Sequence, residues 1–211
     1  WRQVSCEIQP LADPSTKVAL VGLPRPRLSW DPHHDLSPGH IRASNPMSAP
    51  APILETDRLI LRTPAAEDLE PWVKFAADEE TMRYLGGVQA RSVAWRGLCT
   101  VTGAWTIRGF GMFSVIEKAS GRWVGRLGPW QPEDWPGTEV GWGLARECWG
   151  KGYATEGAAA CMDYVFDVLG WSEAIHTIEP GNLGSQAVAR RLGSTLLGPA
   201  KMPPPYRDTP V

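Results

Sequence analysis

Hydrophobic and polar positions alternate first at 57–63, where Leu59, Leu61 and Thr63 interleave with Arg58, Ile60 and Arg62. That period of two predicts a strand. Thr63 followed by Pro64 has the form of a helix start, and Leu69, Trp72, Val73 and Ala76 continue as one apolar stripe. A weaker helical pattern covers 92–104. Residues 111–117 and 122–128 read as the two strands of a hairpin turned at Lys118-Ala119-Ser120-Gly121. A further strand is expected over 138–144, then a long helix over 152–169 with Ala158, Cys161, Met162, Val165, Val168 and Leu169 on its apolar side. A strand over 174–178 and a helix over 183–192 follow. Strands that first hairpin and then alternate with helices predict a mixed sheet in an α/β or α+β domain. No internal repeat is present.

Residues 1–46 follow neither period. They hold seven of the 20 prolines and three of the four histidines. We expect a disordered or non-native extension over 1–52 and a folded domain over 53–211, with Met47 as a candidate start. The apolar run 18–23 is too short for a signal-peptide core and is flanked by prolines. His33, His34 and His40 lack cysteine or carboxylate partners at ligand spacing, so no metal site is expected.

Composition narrows the function classes. The chain has 211 residues, 43% of them apolar, which suffices for one core. A formal net charge of −2 excludes a dominating nucleic-acid footprint. No apolar run reaches the roughly 18 residues of a membrane-spanning helix. The four cysteines, Cys6, Cys99, Cys148 and Cys161, form no CxxC pair, which fits free thiols in a reducing cytoplasm.

The candidate chemistry lies between Glu139 and Glu156. A strand runs into a loop bearing Gly150 and Gly152, and a helix opens from that loop. The first amides of a helix lack internal partners and its N-terminus is electropositive, so this arrangement suits a phosphate or pyrophosphate. Glycine lets the backbone approach such a ligand, and Lys151 adds charge. A Walker loop misses two positions here, with Ala145 and Gly152 in place of its first glycine and its Ser/Thr. A dinucleotide fingerprint misses its last position at Thr155, although Glu173 lies where a ribose-binding acid is expected. A ligand-free turn is the structural alternative.

The run Trp149-Gly-Lys-Gly-Tyr-Ala-Thr-Glu156 resembles the coenzyme A pyrophosphate loop of the GCN5-related N-acetyltransferases, and more narrowly the branch containing the ribosomal-protein alanine and serine N-acetyltransferases. Gly152 and Ala154 match the pattern [QR]xxGx[GA], with Trp149 at the Gln/Arg position. Thr56-Asp-Arg-Leu-Ile-Leu-Arg62, the hairpin around Gly121, and the segment from Pro180 to Gly193 with its NxxS at Asn182 and Ser185 extend the similarity in order over about residues 53–198. The resemblance implies a mixed, splayed central sheet flanked by helices. It implies direct acetyl transfer from acetyl-CoA, as co-substrate and without a metal, to an amine of a small molecule or a protein N-terminus. Trp142, Gly143 and Leu144 would bond the pantetheine and polarise the thioester carbonyl. Trp149, Gly150, Lys151, Gly152, Tyr153, Ala154 and Thr155 would hold the pyrophosphate. Arg146 would contact coenzyme A or stand as a solvated arginine.

An alkylammonium must lose a proton before it attacks, and the resemblance makes Glu139 the base, directly or through water. The family's usual tyrosine donor to the leaving thiolate has no counterpart between Tyr164 and Tyr206. Ser185, with Asn182 and Asn182's role as helix cap, is the candidate donor and completes the coenzyme A contacts. Cys148 has no positioned histidine and is not expected to be a nucleophile. In the loop 129–137, Trp130, Glu133, Asp134 and Trp135 have a composition suited to an acceptor amine. Similar proteins end with a further strand pair. Here Met202-Pro-Pro-Pro205 interrupts it, so the closing C-terminal strand is expected to be missing and the domain truncated. A catalytically weak acyl-CoA-binding module and a nucleotide-binding protein are the alternatives, and either a monomer or a homodimer is compatible.

Overall fold

A computed structural model describes residues 17–23, 52–200 and 202–203. Among the described residues the strands are β1 (Lys17–Gly22), β2 (Leu54–Glu55), β3 (Leu59–Arg62), β4 (Phe113–Glu117), β5 (Trp123–Trp130), β6 (Glu139–Leu144), β7 (Ala174–Ile178) and β8 (Thr195–Ala200). The helices are α1 (Leu69–Ala77), α2 (Glu79–Met82), α3 (Arg91–Arg108), α4 (Tyr153–Asp167) and α5 (Leu183–Arg191). One sheet takes the order β2-β3-β4-β5-β6-β7-β1-β8. Only β6 and β7 pair in parallel; every other neighbour is antiparallel.

Alternation along the strands sends successive side chains to opposite faces. Leu59, Leu61, Leu127 and Val140 pack with Ala158, Cys161 and Val165 of α4 in the larger core. Gly157 makes that approach close: a Cβ there would sit 2.7 Å from Leu127 Cδ2. A second cluster joins Trp72 and Phe75 of α1 to Met82, Leu98, Val101 and Met112, with Trp123 and Trp130 of β5 against it. α2 escapes the periodicity because it is one turn long. Asp78 starts it by accepting a hydrogen bond from the Thr81 amide at 2.7 Å. Asp68, 2% exposed, is held by both terminal nitrogens of Arg62 at 2.8 Å and by the Ser114 hydroxyl at 2.7 Å.

One expectation is corrected. The open sheet is extended by a strand from the front of the chain: β1 lies between β7 and β8 and pairs antiparallel with both. The run Val18-Ala-Leu-Val is β-branched and apolar, and Ala19, Leu20 and Val21 are buried in the sheet. The expectation of no strand in residues 1–46 therefore fails at 17–22. β8 at the far end of the domain gains its partner from β1. His33, His34, His40, Met47 and Cys6 lie outside the described residues.

Candidate active site

β6 and β7 meet at one register pair, Glu139 with Ile175, joined by the Ile175 amide donating to Thr138 O at 2.8 Å. Beyond that pair the two strands part, and side chains take over the backbone groups that a continuing ladder would have used. The Thr177 amide donates to Glu139 Oε1 at 3.2 Å, and the Thr177 hydroxyl lies 2.9 and 3.0 Å from the two carboxylate oxygens. His176, 1% exposed, reaches Val140 O with Nδ1 at 2.6 Å. A carbonyl only accepts, so Nδ1 carries the proton and Nε2 accepts from the Ser194 hydroxyl at 3.0 Å. Burial pushes the His176 pKa down to about 4, which keeps the ring neutral at neutral pH.

Glu139 is 6% exposed and receives a third donor, Trp135 Nε1, at 2.5 Å. Each of these partners donates, which suits a carboxylate. Gly141 follows on the same face. A Cβ there would lie 3.3 Å from Glu139 Oε1 and 3.0 Å from Met112 Cε, so glycine is what admits the carboxylate beside the strand. Trp142 points to the opposite face, where its ring packs on His176 at 4.9 Å and its Nε1 donates to Ser185 Oγ at 3.2 Å. Asn182 caps α5 by accepting from the Ser185 amide at 3.0 Å. Asn182 and Ser185 thus stand together at the parted strands.

The glycine loop precedes α4. Gly150 and Gly152 have φ of 74° and 83°, the left-handed region that glycine enters without a steric penalty. Their backbone opens toward the first amides of α4. Trp149 turns back, donating from Nε1 to Leu144 O at 2.8 Å, and so ties the loop to the end of β6. Arg146 is exposed at the start of the 3-10 turn Arg146–Cys148, whose Cys148 is buried. Lys151 is exposed, Tyr153 is buried, and Ala154 and Thr155 lie half-buried in the first turn of α4. The Tyr153 hydroxyl donates to Glu117 Oε1 at 2.5 Å. Burial pushes the Cys148 thiol pKa up, which disfavours a thiolate nucleophile there.

A clamp absent from the sequence reading fixes this loop. Arg58 donates from Nη1 to Lys151 O at 2.9 Å and from Nε to Glu156 Oε2 at 2.7 Å. Glu156 also accepts from the Arg58 amide at 2.9 Å and the Thr56 hydroxyl at 2.6 Å. The Arg58 guanidinium lies 4.7 Å from the Tyr153 ring centroid. These donors hold the Glu156 carboxyl below the usual carboxylate range against the opposing effect of burial. Thr56 and Arg58 belong to the motif singled out in the sequence, but their partner lies 98 residues beyond Arg58.

A cavity of about 420 Å³ runs from Trp142, Asn182 and Ser185 past Glu139 to Trp72, Phe75 and Trp130. Trp130 and Trp135 of the 129–137 loop line it. Glu133 and Asp134 do not: Glu133 is 91% exposed in its side chain and pairs with Arg108, and Asp134 sits exposed at a φ of 60°. No group of three metal-ligating side chains occurs among the described residues. No helix among them is long and apolar enough to cross a membrane.

Residues 58–195 match the acetyltransferase (GNAT) domain family. The protein YkkB of Bacillus subtilis (strain 168) is 31% identical over 150 residues, which are 66% of this chain and 83% of that protein. The crystal structure of an acetyltransferase from Agrobacterium tumefaciens str. C58 superposes with a TM-score of 0.65 at 28% identity, covering 72% of this chain and 95% of that one. A ribosomal L7/L12 alpha-N-protein acetyltransferase in complex with coenzyme A shares the fold, with a TM-score of 0.53 at 17% identity over 67% of this chain and 82% of its own. A mixed sheet whose one parallel pair parts beside a glycine loop, together with a family match over most of the domain, shows that the chain belongs to the GNAT acetyltransferases.

Proposed function

We propose that this chain moves an acetyl group from acetyl-CoA directly to a primary amine of a small molecule or a protein N-terminus. The observation that carries the reading is the parting of β6 and β7 immediately after Glu139, next to the left-handed glycines at the start of α4. The residues present fit coenzyme A. A Cβ at Gly150 would meet nothing within 4 Å, so the loop presents open backbone, and α4 offers its unpaired first amides for a pyrophosphate. Acetyl-CoA supplies the activated thioester.

The chain's own groups have separable tasks. Gly150 to Thr155, with Lys151, bind the diphosphate. Backbone groups of Trp142 to Leu144 face the thioester, where an amide donor stabilises the developing oxyanion. Glu139 takes a proton from the incoming ammonium, directly or through water, and its donors Trp135 and Thr177 hold the carboxylate in place. The amine nitrogen then bonds to the carbonyl carbon, the carbon–sulfur bond breaks, and the sulfur leaves as a thiolate. Ser185 accepts from Trp142, so its own O–H is available to donate to that sulfur. Asn182 positions Ser185 through the cap. The three described cysteines are free thiols, in keeping with the cytoplasmic setting that belongs to this reading.

Calorimetric titration with acetyl-CoA and a thiol-release assay over a panel of amines test the proposal together. Binding accompanied by amine-dependent release supports it. Binding without release on any amine favours an acyl-CoA-binding module on the same fold.

A further inference from the structure

We infer that β1 is a positioning element of the reaction site: seated along β7, it holds Thr177 and His176 where they orient Glu139 and Trp142; this rests on the transferase reading above. The geometry of β7 calls for such a support. Its parallel contact with β6 is the single register pair Glu139 with Ile175, whereas β1 runs beside it from Val18 opposite Ile178 to Gly22 opposite Ala174. The Ile175 and Thr177 amides turn toward β6, where they donate to Thr138 O and Glu139 Oε1. Alternation along a strand then turns the backbone groups of Ala174, His176 and Ile178 toward β1.

Two lines lead from β1 to β6, one on each face of the sheet. On the face of Glu139, Ala19 lies directly opposite Thr177 and is buried. The Thr177 amide and hydroxyl are partners of the Glu139 carboxylate, so Ala19 backs the residue that holds it. On the face of α5, Leu20 lies opposite His176 and packs with Ile178 and Ala189. His176 in turn donates to Val140 O and carries the Trp142 ring. Opposed residues of antiparallel strands keep their side chains in contact range, so a shift of β1 is passed to both lines. Gly22 sets how closely the strand runs over α4. A Cβ there would come 2.4 Å from Met162 Cε and 3.1 Å from Oγ of Ser194, the residue that donates to His176 Nε2. β8 pairs along the other side of β1, from Lys17 opposite Ala200 to Val21 opposite Thr195.

The test is a double-mutant cycle on the full chain, read by thiol release from acetyl-CoA with 2-phenylethylamine, spermidine and an unblocked tetrapeptide as acceptors. Leu20→Asp puts a charge against Ile178 and Ala189 and unseats the strand. Ala19→Val keeps the face apolar and only enlarges the side chain beside Thr177. Each should lower kcat by about tenfold, the effect of a small misplacement at the reacting groups, and leave the KM for acetyl-CoA within about twofold of wild type. In a Glu139→Gln background each should cost less than about twofold more, because the carboxylate it displaces is already gone. A strand serving only general stability would lower kcat by the same factor in both backgrounds. Leu20→Met, which keeps the apolar bulk, should behave as wild type. If Leu20→Asp fails to fold, Ala19→Val carries the test alone. Unchanged kcat in Ala19→Val, or losses that multiply with that of Glu139→Gln, overturns the role of β1 and leaves the transferase reading standing. Wild-type protein that shows no amine-dependent thiol release overturns both.

Discussion

Trp142 and Ser185 face one another across the parted strands, with the indole N–H donating to the serine oxygen at 3.2 Å. The contact joins β6 to α5 where no backbone ladder connects them. It also fixes the serine hydroxyl in the cavity, with its oxygen occupied as acceptor and its proton free for another partner. Ser185→Ala should lower kcat by about tenfold to a hundredfold while sparing acetyl-CoA affinity, the size expected for a positioned proton donor. Trp142→Phe keeps an aromatic ring beside His176 and removes the N–H donor to Ser185, so it should lower kcat by a smaller factor. Steady-state kinetics of both variants decide this. An unchanged kcat in Ser185→Ala would remove the hydroxyl from the mechanism.

Arg58 should be a positioning residue for the cofactor loop, because its Nη1 holds the Lys151 carbonyl. Arg58→Ala should raise the KM for acetyl-CoA several-fold. It should leave the KM for S-acetylpantetheine, which has no pyrophosphate, where it was. A loss shared by both donors would mark the clamp as general scaffold. Arg58→Lys keeps charge without the fork geometry and should recover little of the loss.

Most of the domain between residues 57 and 198 was legible in the sequence, because its strands bury one face at a period of two and its helices bury a stripe. β1 was not. Its partners Ile175 and Leu196 lie more than 150 residues away along the chain, and the neighbouring prolines argued for irregular structure. The glycine loop was legible because left-handed backbone at a helix start narrows the residue choice to glycine. Arg58 was visible as part of a motif, yet its task exists only once β3 meets α4. His176 and Thr177 likewise acquire their partners from the parting of β6 and β7, which no local pattern encodes.

His176 should make stability pH-dependent above the carboxylate range. Its pKa is about 4 in the folded protein, against 6.5 as the ordinary value. Between those values the unfolded chain binds the extra proton, so the contribution is fully present above pH 6.5 and is lost as pH falls toward 4. Between pH 7.5 and 5 the loss should be about 2 kcal/mol. Asp68 and Glu156, held below their ordinary values, act at lower pH. Urea unfolding at the two pH values should show the drop, and His176→Gln should abolish it. A drop that persists in the variant belongs to other groups.

Glu139→Gln should lower turnover by about a hundredfold near neutral pH, within the range for general bases, with little change in acetyl-CoA affinity. The deficit should narrow as pH rises and free amine becomes available without help. A pH–rate profile for wild type and variant checks both features. Parallel profiles would indicate that Glu139 serves the structure, through Thr177 and Trp135, and not proton transfer.

Equilibrium titration of acetyl-CoA into the wild-type protein and Gly152→Asp tests the central assignment most directly, since the proposed site requires coenzyme A to reach the backbone of this loop. Gly152 has a φ of 83°, and a Cβ there would lie 3.4 Å from Arg58 Nη2. Aspartate at this position strains the turn, enters the Arg58 clamp and puts a negative charge beside the phosphates. The assignment predicts that a variant with wild-type circular dichroism loses affinity by about a hundredfold or more, the combined effect of a backbone clash and a like charge. Unaltered affinity in that folded variant would contradict it.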